Sequence, residues 1–238
     1  MNIGDMGVPF IYQGEELIYP EYVKDGLVLH YDFSSMTNND ASKDIARDLS
    51  GNGNHGTLQN FNFTPESGYD KNKLLFDGVD DYLLFNNPIP YQTPETQSWS
   101  VEVVFSVKGD NANFTILPRW NLGIQVRPYD VDRLRLLNYT HTSGYLYSNA
   151  ILYQDTFIHA VFSYDYITKE NKIVTNGGEN EHSKIQKPEE IPTGISSEIF
   201  AYNLAQSKTH SLKIYNRPLT PEEIRHNYAI EKERFGIE

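Results

Sequence analysis

A short turn near the start of the chain carries oxygen-bearing side chains at the spacing that opens a calcium-binding loop. Alternate residues of this turn place their oxygens on one side of a tight bend, and Gly53 permits that bend. The oxygen-bearing residues are Asp48, Ser50 and Asn52. The twelfth position holds Gln59, where an EF-hand has a bidentate glutamate, so the turn is not an EF-hand. Two interpretations stay open: a looser calcium site, and an Asx-rich turn that satisfies its own backbone.

A second acidic segment follows further along the chain. It places three carboxylates within five positions, at Asp77, Asp80 and Asp81. We expect these carboxylates to complete the calcium site, whereas an acid–base role is less favoured than a hairpin turn whose carboxylates accept backbone N–H groups. Calcium is therefore the only cofactor that the sequence predicts.

Aromatic residues next to amides or carboxylates are the candidates for carbohydrate binding. A sugar site needs flat rings for the apolar face of a pyranose and polar groups for its hydroxyls. The alternative is that these rings belong to the core or to cross-strand pairs. The candidates are Trp120, Asn121, Tyr129, Asp130, Asn138, Tyr139, Tyr145 and Tyr147.

Motifs for other chemistries are weak or absent in the sequence. The segment 51–56 fits G-x-G-x-x-G, but no strand precedes it and no helix follows it, so it does not predict a nucleotide site. No H-E-x-x-H or G-x-S-x-G occurs, and the chain has no cysteine. Zinc, thiol and serine-hydrolase chemistry are therefore not expected.

Composition excludes two classes of partner. The chain has 238 residues, of which 20 are basic and 32 are acidic, giving a formal net charge of −12. A field of this sign repels nucleic acid and anionic membranes. No apolar run is long enough for a membrane helix, so we expect no membrane insertion, and the first residues do not resemble a signal peptide.

Apolar and polar residues alternate along several short segments, which predicts half-buried strands. The clearest segment is 99–107, in which every odd-numbered residue is apolar and Glu102 lies on the other face. Segments 27–33 and 158–164 alternate in the same way, and turns rich in Asn and Gly separate the segments. Many short strands with such spacing predict an all-β fold, a sandwich or a barrel of antiparallel strands.

One helix is predicted near the C-terminus, over about 220–234. Thr220 has the position of an N-cap, Pro221 that of the first helical residue, and Glu223 closes a capping box. Leu219 and Ile224 occupy the two positions of a hydrophobic staple.

The chain divides into an arm and a domain. Residues 1–25 show neither the strand nor the helix period, which predicts an extended arm that either docks on a partner or lies along its own domain. Residues 26–238 are expected to form one domain that ends in the helix.

Four segments of the domain occur in a characteristic order, at 26–33, 48–56, 76–82 and 212–224. Together they resemble the concanavalin A-like lectin/glucanase superfamily, in its laminin G-like jelly-roll branch. The resemblance covers about residues 26–230 and implies an antiparallel jelly-roll β-sandwich. It does not imply one function, since members of the family bind sugars, bind proteins or cleave glycans.

The same resemblance bears on catalysis and on calcium. Glucanase members carry a strand with alternating carboxylates on one face, whereas Glu102 stands alone between valines. The chain is therefore expected to be non-enzymatic. Calcium-binding members use loops at the rim of the sandwich, and Asp48, Ser50 and Asn52 are the residues that match them.

The short arm, the segment 22–27 and the single jelly-roll domain also resemble bacteriophage virion proteins. In those proteins such a domain decorates the tail, baseplate or head. The resemblance implies a protein of the virion that assembles in the cytoplasm of the bacterial host. Its partners would be other virion proteins, bound through residues 1–25, and further copies of the chain in a homo-oligomer or larger assembly.

Three functions are weighed on this basis. The first is a non-enzymatic virion structural protein whose lectin-like domain contacts host cell-surface carbohydrate. The second is a purely structural virion protein that binds no glycan. The third is a glycoside hydrolase, which would need a cleft with two facing carboxylates.

Overall fold

The protein is described here by a computed structural model covering residues 11–13, 16–85, 98–108, 113–117, 123–128, 133–140, 144–148, 152–185, 198–199 and 205–237. Over these ranges the chain forms short strands and one α-helix near the C-terminus. The strands are β1 (Ile11–Gln13), β2 (Glu16–Tyr19), β3 (Leu27–Asp32), β4 (Ile45–Ala46), β5 (Gly56–Gln59), β6 (Gly68–Tyr69), β7 (Leu74–Phe76), β8 (Tyr82–Phe85), β9 (Trp99–Lys108), β10 (Phe114–Leu117), β11 (Gly123–Pro128), β12 (Arg133–Thr140), β13 (Gly144–Tyr147), β14 (Leu152–Tyr153), β15 (Ile158–Asp165), β16 (Glu170–Thr175), β17 (Asn180–Ile185), β18 (Glu198–Ile199) and β19 (Gln206–Tyr215). The helix, α1, is Pro221–Phe235.

An eight-stranded antiparallel sheet forms the central layer. Its order is β17-β16-β15-β9-β19, after which β3 and the β7-β6 pair share the far edge of β19. The long strands β9 and β19 pair along their whole length and hold the two halves of the sheet together. The described part of the chain contains no helix long and apolar enough to span a membrane.

Two smaller sheets form the facing layer. A four-stranded sheet has the order β18-β8-β5-β4, and a five-stranded sheet runs β10-β11-β12-β13, with β14 also paired to β12. One continuous apolar core includes residues from all three sheets, among them Leu58, Phe105 and Val126. The predicted all-β antiparallel sandwich is confirmed.

The helix α1 covers the outer face of the eight-stranded sheet. Its N-terminus has the predicted capping box between Thr220 and Glu223, and Gly236 ends it in the left-handed conformation. Leu219 and Ile224 pack into a second, smaller apolar cluster with Val161 of β15. The predicted helix is therefore confirmed, with its start and end placed within one residue.

The N-terminal segment contains a hairpin that the sequence period did not predict. Strands β1 and β2 pair with each other, and the described residues contain no strand of the domain that pairs with them. Residues 21–25 lie against α1, where the backbone N–H of Val23 donates to Asn227 Oδ1 at 3.0 Å. This part of the predicted arm therefore lies along its own domain.

Candidate functional site

Four of the carbohydrate-binding candidates meet on two neighbouring strands. Asn138 and Tyr139 lie in β12, and Tyr145 and Tyr147 lie in β13. The antiparallel register pairs Tyr139 with Tyr145, and Leu137 with Tyr147. Residues that are separate in the sequence are thus brought together by one hairpin. The other four candidates, Trp120, Asn121, Tyr129 and Asp130, lie outside the described residues.

Tyr147 forms a cation–π pair with Arg135 of the neighbouring strand. The guanidinium carbon of Arg135 lies 4.3 Å from the centre of the Tyr147 ring. Leu146 is buried in the core, so alternation along β13 turns Tyr147 away from the core, and 36% of its surface is exposed. Within the described residues, Arg135 Nε is buried without a hydrogen-bond partner. The pair therefore places an exposed ring beside a guanidinium, and aromatic rings and N–H donors are the groups that bind a sugar.

A second arginine organises the polar groups beside this pair. Arg127 of β11 is directly opposite Arg135 in the sheet register. It donates from Nε and Nη2 to Gln125 Oε1 at 3.1 and 2.9 Å, and from Nη1 to Asn113 Oδ1 at 2.8 Å. These bonds hold the side-chain amides of Gln125 and Asn113 in fixed orientations.

Neither arginine stands out in the sequence, for a physical reason. Rings and amides that are neighbours along the chain are visible in the sequence, whereas Arg135 reaches Tyr147 only across the β12–β13 register. The available signal was the alternation of β12, in which Arg135 and Leu137 lie on the face opposite the buried Leu136.

Asp48, proposed above as a calcium ligand, is surrounded by hydrogen-bond donors. Its Oδ1 accepts the N–H groups of His30 and Ser50 at 3.0 and 2.9 Å. Its Oδ2 accepts the Ser50 hydroxyl at 2.8 Å and the N–H of Asn54 at 2.9 Å. Both carboxylate oxygens thus have two donors each, as in the Asx-rich turn that was the alternative interpretation.

The remainder of this turn covers the free edge of β3. The carbonyl of Val28 accepts the Ser50 hydroxyl at 3.0 Å and the side-chain amides of Asn52 and Asn54 at 3.1 and 2.9 Å. The carbonyl of His30 accepts the N–H of Leu49 at 2.8 Å. Unpaired backbone groups at a sheet edge would otherwise be open to pairing with another chain. The turn is therefore an edge cap, and calcium at Asp48, Ser50 and Asn52 stays a prediction.

The second predicted group of calcium ligands is brought together by its turn. Oxygen atoms of Asp77, Asp80 and Asp81 lie within 4.8 Å of one another. Asp81 is buried, accepting the Ser67 hydroxyl at 3.0 Å and the N–H of Asp77 at 2.9 Å. Burial raises the pKa of Asp81 to about 6. Asp48 does not belong to this group, so the structure does not join the two predicted halves of the site.

A buried polar cluster lies between α1 and the eight-stranded sheet. Glu102 and Lys213 lie on its outer face, and Glu231 of α1 packs onto them. Lys213 Nζ lies 3.1 Å from Glu102 Oε1 and also binds Glu231 Oε1. Burial alone would raise the pKa of Glu102, but the Lys213 ammonium and the His159 side chain hold it at about 2. All four side chains of the cluster are fully buried: Glu102, Lys213, His159 and Glu231. The cluster therefore holds α1 against the sheet, and its carboxylates are not accessible to a substrate.

A cleft of about 700 Å³ lies beside β3. It lies between residues 21–27, strand β3 and the turns that follow it. Its wall contains the buried ion pair in which Arg234 Nη1 lies 2.7 Å from Asp32 Oδ2. Ile45 and Leu49 are 40% and 43% exposed at its rim. Among the predicted site residues that the structure describes, only Ser50 lines it.

Neither a protein-family model nor a curated protein sequence matches the chain. Solved structures match its fold. The receptor-binding domain of botulinum neurotoxin C/D mosaic serotype superposes with a TM-score of 0.63 at 15% identity, over 88% of this chain and 52% of that one. A botulinum neurotoxin type C structure, from a protein whose cell entry depends on two ganglioside molecules, gives 0.57 at 13% identity, over 87% and 52%.

An enzyme is also among the matching structures. Trypanosoma rangeli sialidase in complex with sialic acid superposes with a TM-score of 0.58 at 13% identity, over 88% of this chain and 33% of that one. The chain thus spans about half of the neurotoxin structures and one third of the sialidase. At these identities the likeness shows the fold alone, and that fold is an antiparallel β-sandwich.

Proposed function

We propose that this protein is a non-enzymatic, lectin-like binding module that contacts carbohydrate through the β12–β13 hairpin. The observation that carries the proposal is the Arg135–Tyr147 pair, in which an exposed ring lies 4.3 Å from a guanidinium. Rings bind the apolar face of a sugar, and the adjacent donors bind its hydroxyls. Receptor and ganglioside binding by neurotoxins of the same fold supports this function.

The absence of catalysis is part of the proposal. Glu102 is the carboxylate on the central strand β9, and it is sealed beneath α1 and paired with Lys213. A glycosidase needs two carboxylates that face each other across a substrate. The sialidase likeness covers one third of that enzyme and carries no catalytic residue to this chain.

We further propose that the module belongs to a bacteriophage virion and contacts host cell-surface glycan. The support is the sequence resemblance of the arm, the segment 22–27 and the single sandwich domain to virion proteins. Residues 1–19 would hold the domain on other virion proteins, and several copies would be displayed together. The runner-up is a purely structural virion role, in which the same hairpin packs against protein.

The test is binding of purified, fluorescently labelled protein to an oligosaccharide array and to isolated bacterial cell walls, each with and without EDTA. We expect saturable binding that Tyr147→Ala reduces at least tenfold, since the ring would lose its contact with the sugar. Binding that is lost in EDTA would support the calcium prediction, and binding that survives EDTA would remove calcium as a requirement.

Tyr166→Ala is the matched control for this experiment. Tyr166 also carries a cation over its ring, with Lys169 Nζ 3.3 Å from the centroid, but it lies at the β15–β16 turn of the other sheet. We expect the control to bind as the natural chain does. Absence of binding by folded natural protein on both surfaces would overturn the carbohydrate proposal in favour of the structural role.

A further inference from the structure

We infer that the groove between β13, β16 and β17 is a sugar subsite of this protein, an inference that rests on the proposed carbohydrate-binding function. The groove has a volume of about 390 Å³, which lies within the range of small-molecule sites. Its lining consists mainly of hydroxyl, amide, imidazole and carboxylate groups, from Ser148, Ile173, Thr175, Glu179, Asn180, Glu181 and His182.

The groove exists because β17 extends the inner face of the eight-stranded sheet beyond its apolar core. The register pairs His182 with Ile173 and Asn180 with Thr175. Directly paired residues lie on the same face of a sheet, so Asn180 and His182 continue the face on which Ile173 is buried. A strand whose inward positions are polar does not extend the core, and it provides hydrogen-bonding groups instead.

Thr175 supplies the observation that points to a ligand. Its side chain is 2% exposed, and its hydroxyl has no hydrogen-bond partner within the described residues. A buried hydroxyl without a partner costs free energy, so it calls for a group that the protein alone does not supply. A sugar hydroxyl can both donate to and accept from Thr175 Oγ1.

Strand β13 separates the groove from the Arg135–Tyr147 pair. Ser148 at the wall of the groove directly follows Tyr147 in the chain, and the hydroxyl of Ser148 accepts the N–H of Leu136 at 3.0 Å. This bond fixes the end of β13 beside β12, the strand that carries Arg135. Because consecutive residues of a strand point to opposite faces, the groove lies on the core side of β13 and Tyr147 on the other side, so the groove is a subsite separate from the ring.

The experiment compares two groove variants with a control from the same strand. The natural protein is screened on an array of oligosaccharides that includes lactose, maltose and chitobiose, and the tightest binder is carried into isothermal titration calorimetry. We expect Thr175→Val and His182→Ala each to weaken binding of that oligosaccharide at least tenfold. Ser183→Ala changes an exposed residue of β17 that does not line the groove, and it should bind as the natural protein does.

Thr175→Val also has a second readout that separates ligand binding from folding. Valine has nearly the shape of threonine without the hydroxyl, so removal of an unpartnered buried group should keep or raise the urea midpoint. A variant that loses binding and keeps its midpoint therefore supports the subsite. A lowered midpoint would show that the hydroxyl has a partner within the fold, and it would overturn the inference.

The outcomes distinguish this inference from the function on which it rests. If the natural protein binds an oligosaccharide and both groove variants bind equally well, the subsite is wrong and the carbohydrate-binding function stands. If the folded natural protein binds nothing on the array or on cell walls, the function fails and the subsite fails with it.

Discussion

Asp48 shows how one carboxylate can organise a whole turn through hydrogen bonds. Its two oxygens accept three backbone N–H groups and one hydroxyl, from His30, Ser50 and Asn54. The residue types and their spacing suited a calcium loop, and the sequence could equally accommodate an Asx-rich turn. The deciding contacts come from β3, about twenty residues earlier in the chain, and local spacing carries no information about them.

We predict that Asp48→Asn lowers the free energy of unfolding by about 2 kcal/mol. An amide keeps one acceptor oxygen, but its NH2 group would face two of the donors that the carboxylate now accepts. Urea denaturation measures the loss, with Asp44→Asn as the control because Asp44 is exposed in the same turn region. If added calcium stabilises the natural protein and not the Asp48 variant, the turn is a metal site after all.

At the level of elements, α1 is the part of the fold that the sequence predicted best, and its docking is the part that it predicted least. The start and end of the helix depend on local signals, namely the capping box at Thr220 and Gly236 at the C-terminus. The docking contacts join Glu231 to Lys213, and Asn227 to Glu102 across 125 positions of the chain. The sequence gives no signal for such a pair, because each residue is simply one polar side chain of its own strand or helix and its partner is far away along the chain.

We expect Lys213→Met to lower the free energy of unfolding by about 3–5 kcal/mol, since it leaves Glu102 and Glu231 buried without a counter-charge. Hydrogen exchange should show the loss first in the amides of α1. Adding Glu102→Gln and Glu231→Gln to the variant should recover most of the stability, because the unpaired charges are then gone. Lys232→Met, at an exposed position of the same helix, is the control and should leave stability unchanged.

The fold class of the whole molecule could largely be predicted from the sequence, because the alternation of apolar and polar residues is a local property of each strand. The segment 99–107 predicted β9 and its buried face, and 158–164 predicted β15, so the sandwich followed. Which strands would be neighbours did not follow, and binding groups such as Arg135 and Tyr147 depend on that register. The position of residues 21–25 was harder still to predict. These residues have no strand or helix period, and their place is set by contacts with α1 that are distant in the sequence.

The boundary between arm and domain gives the prediction that belongs to the whole molecule. Residues 21–25 contact both α1 and β19: Tyr22 Oη accepts from Arg234 of α1 at 2.7 Å, and its ring lies 3.8 Å from Lys213 Nζ of β19. Asp25 lies 2.8 Å from Arg217 Nε, in the segment between β19 and α1. By contrast, β1 and β2 pair with each other. Deleting residues 1–19 should therefore keep the urea midpoint of the full chain.

Deleting residues 1–25 should instead cost about 3 kcal/mol, because Tyr22 and Val23 leave apolar surface uncovered and Asn227 loses a donor. The pair of deletions also tests the proposed anchor. The shorter deletion removes the hairpin from a domain that is still folded, so we expect it to bind oligosaccharide as before while it fails to join an assembly. Equal urea midpoints for the two deletions would show that residues 20–25 are not part of the domain. The boundary between arm and domain would then lie after residue 25.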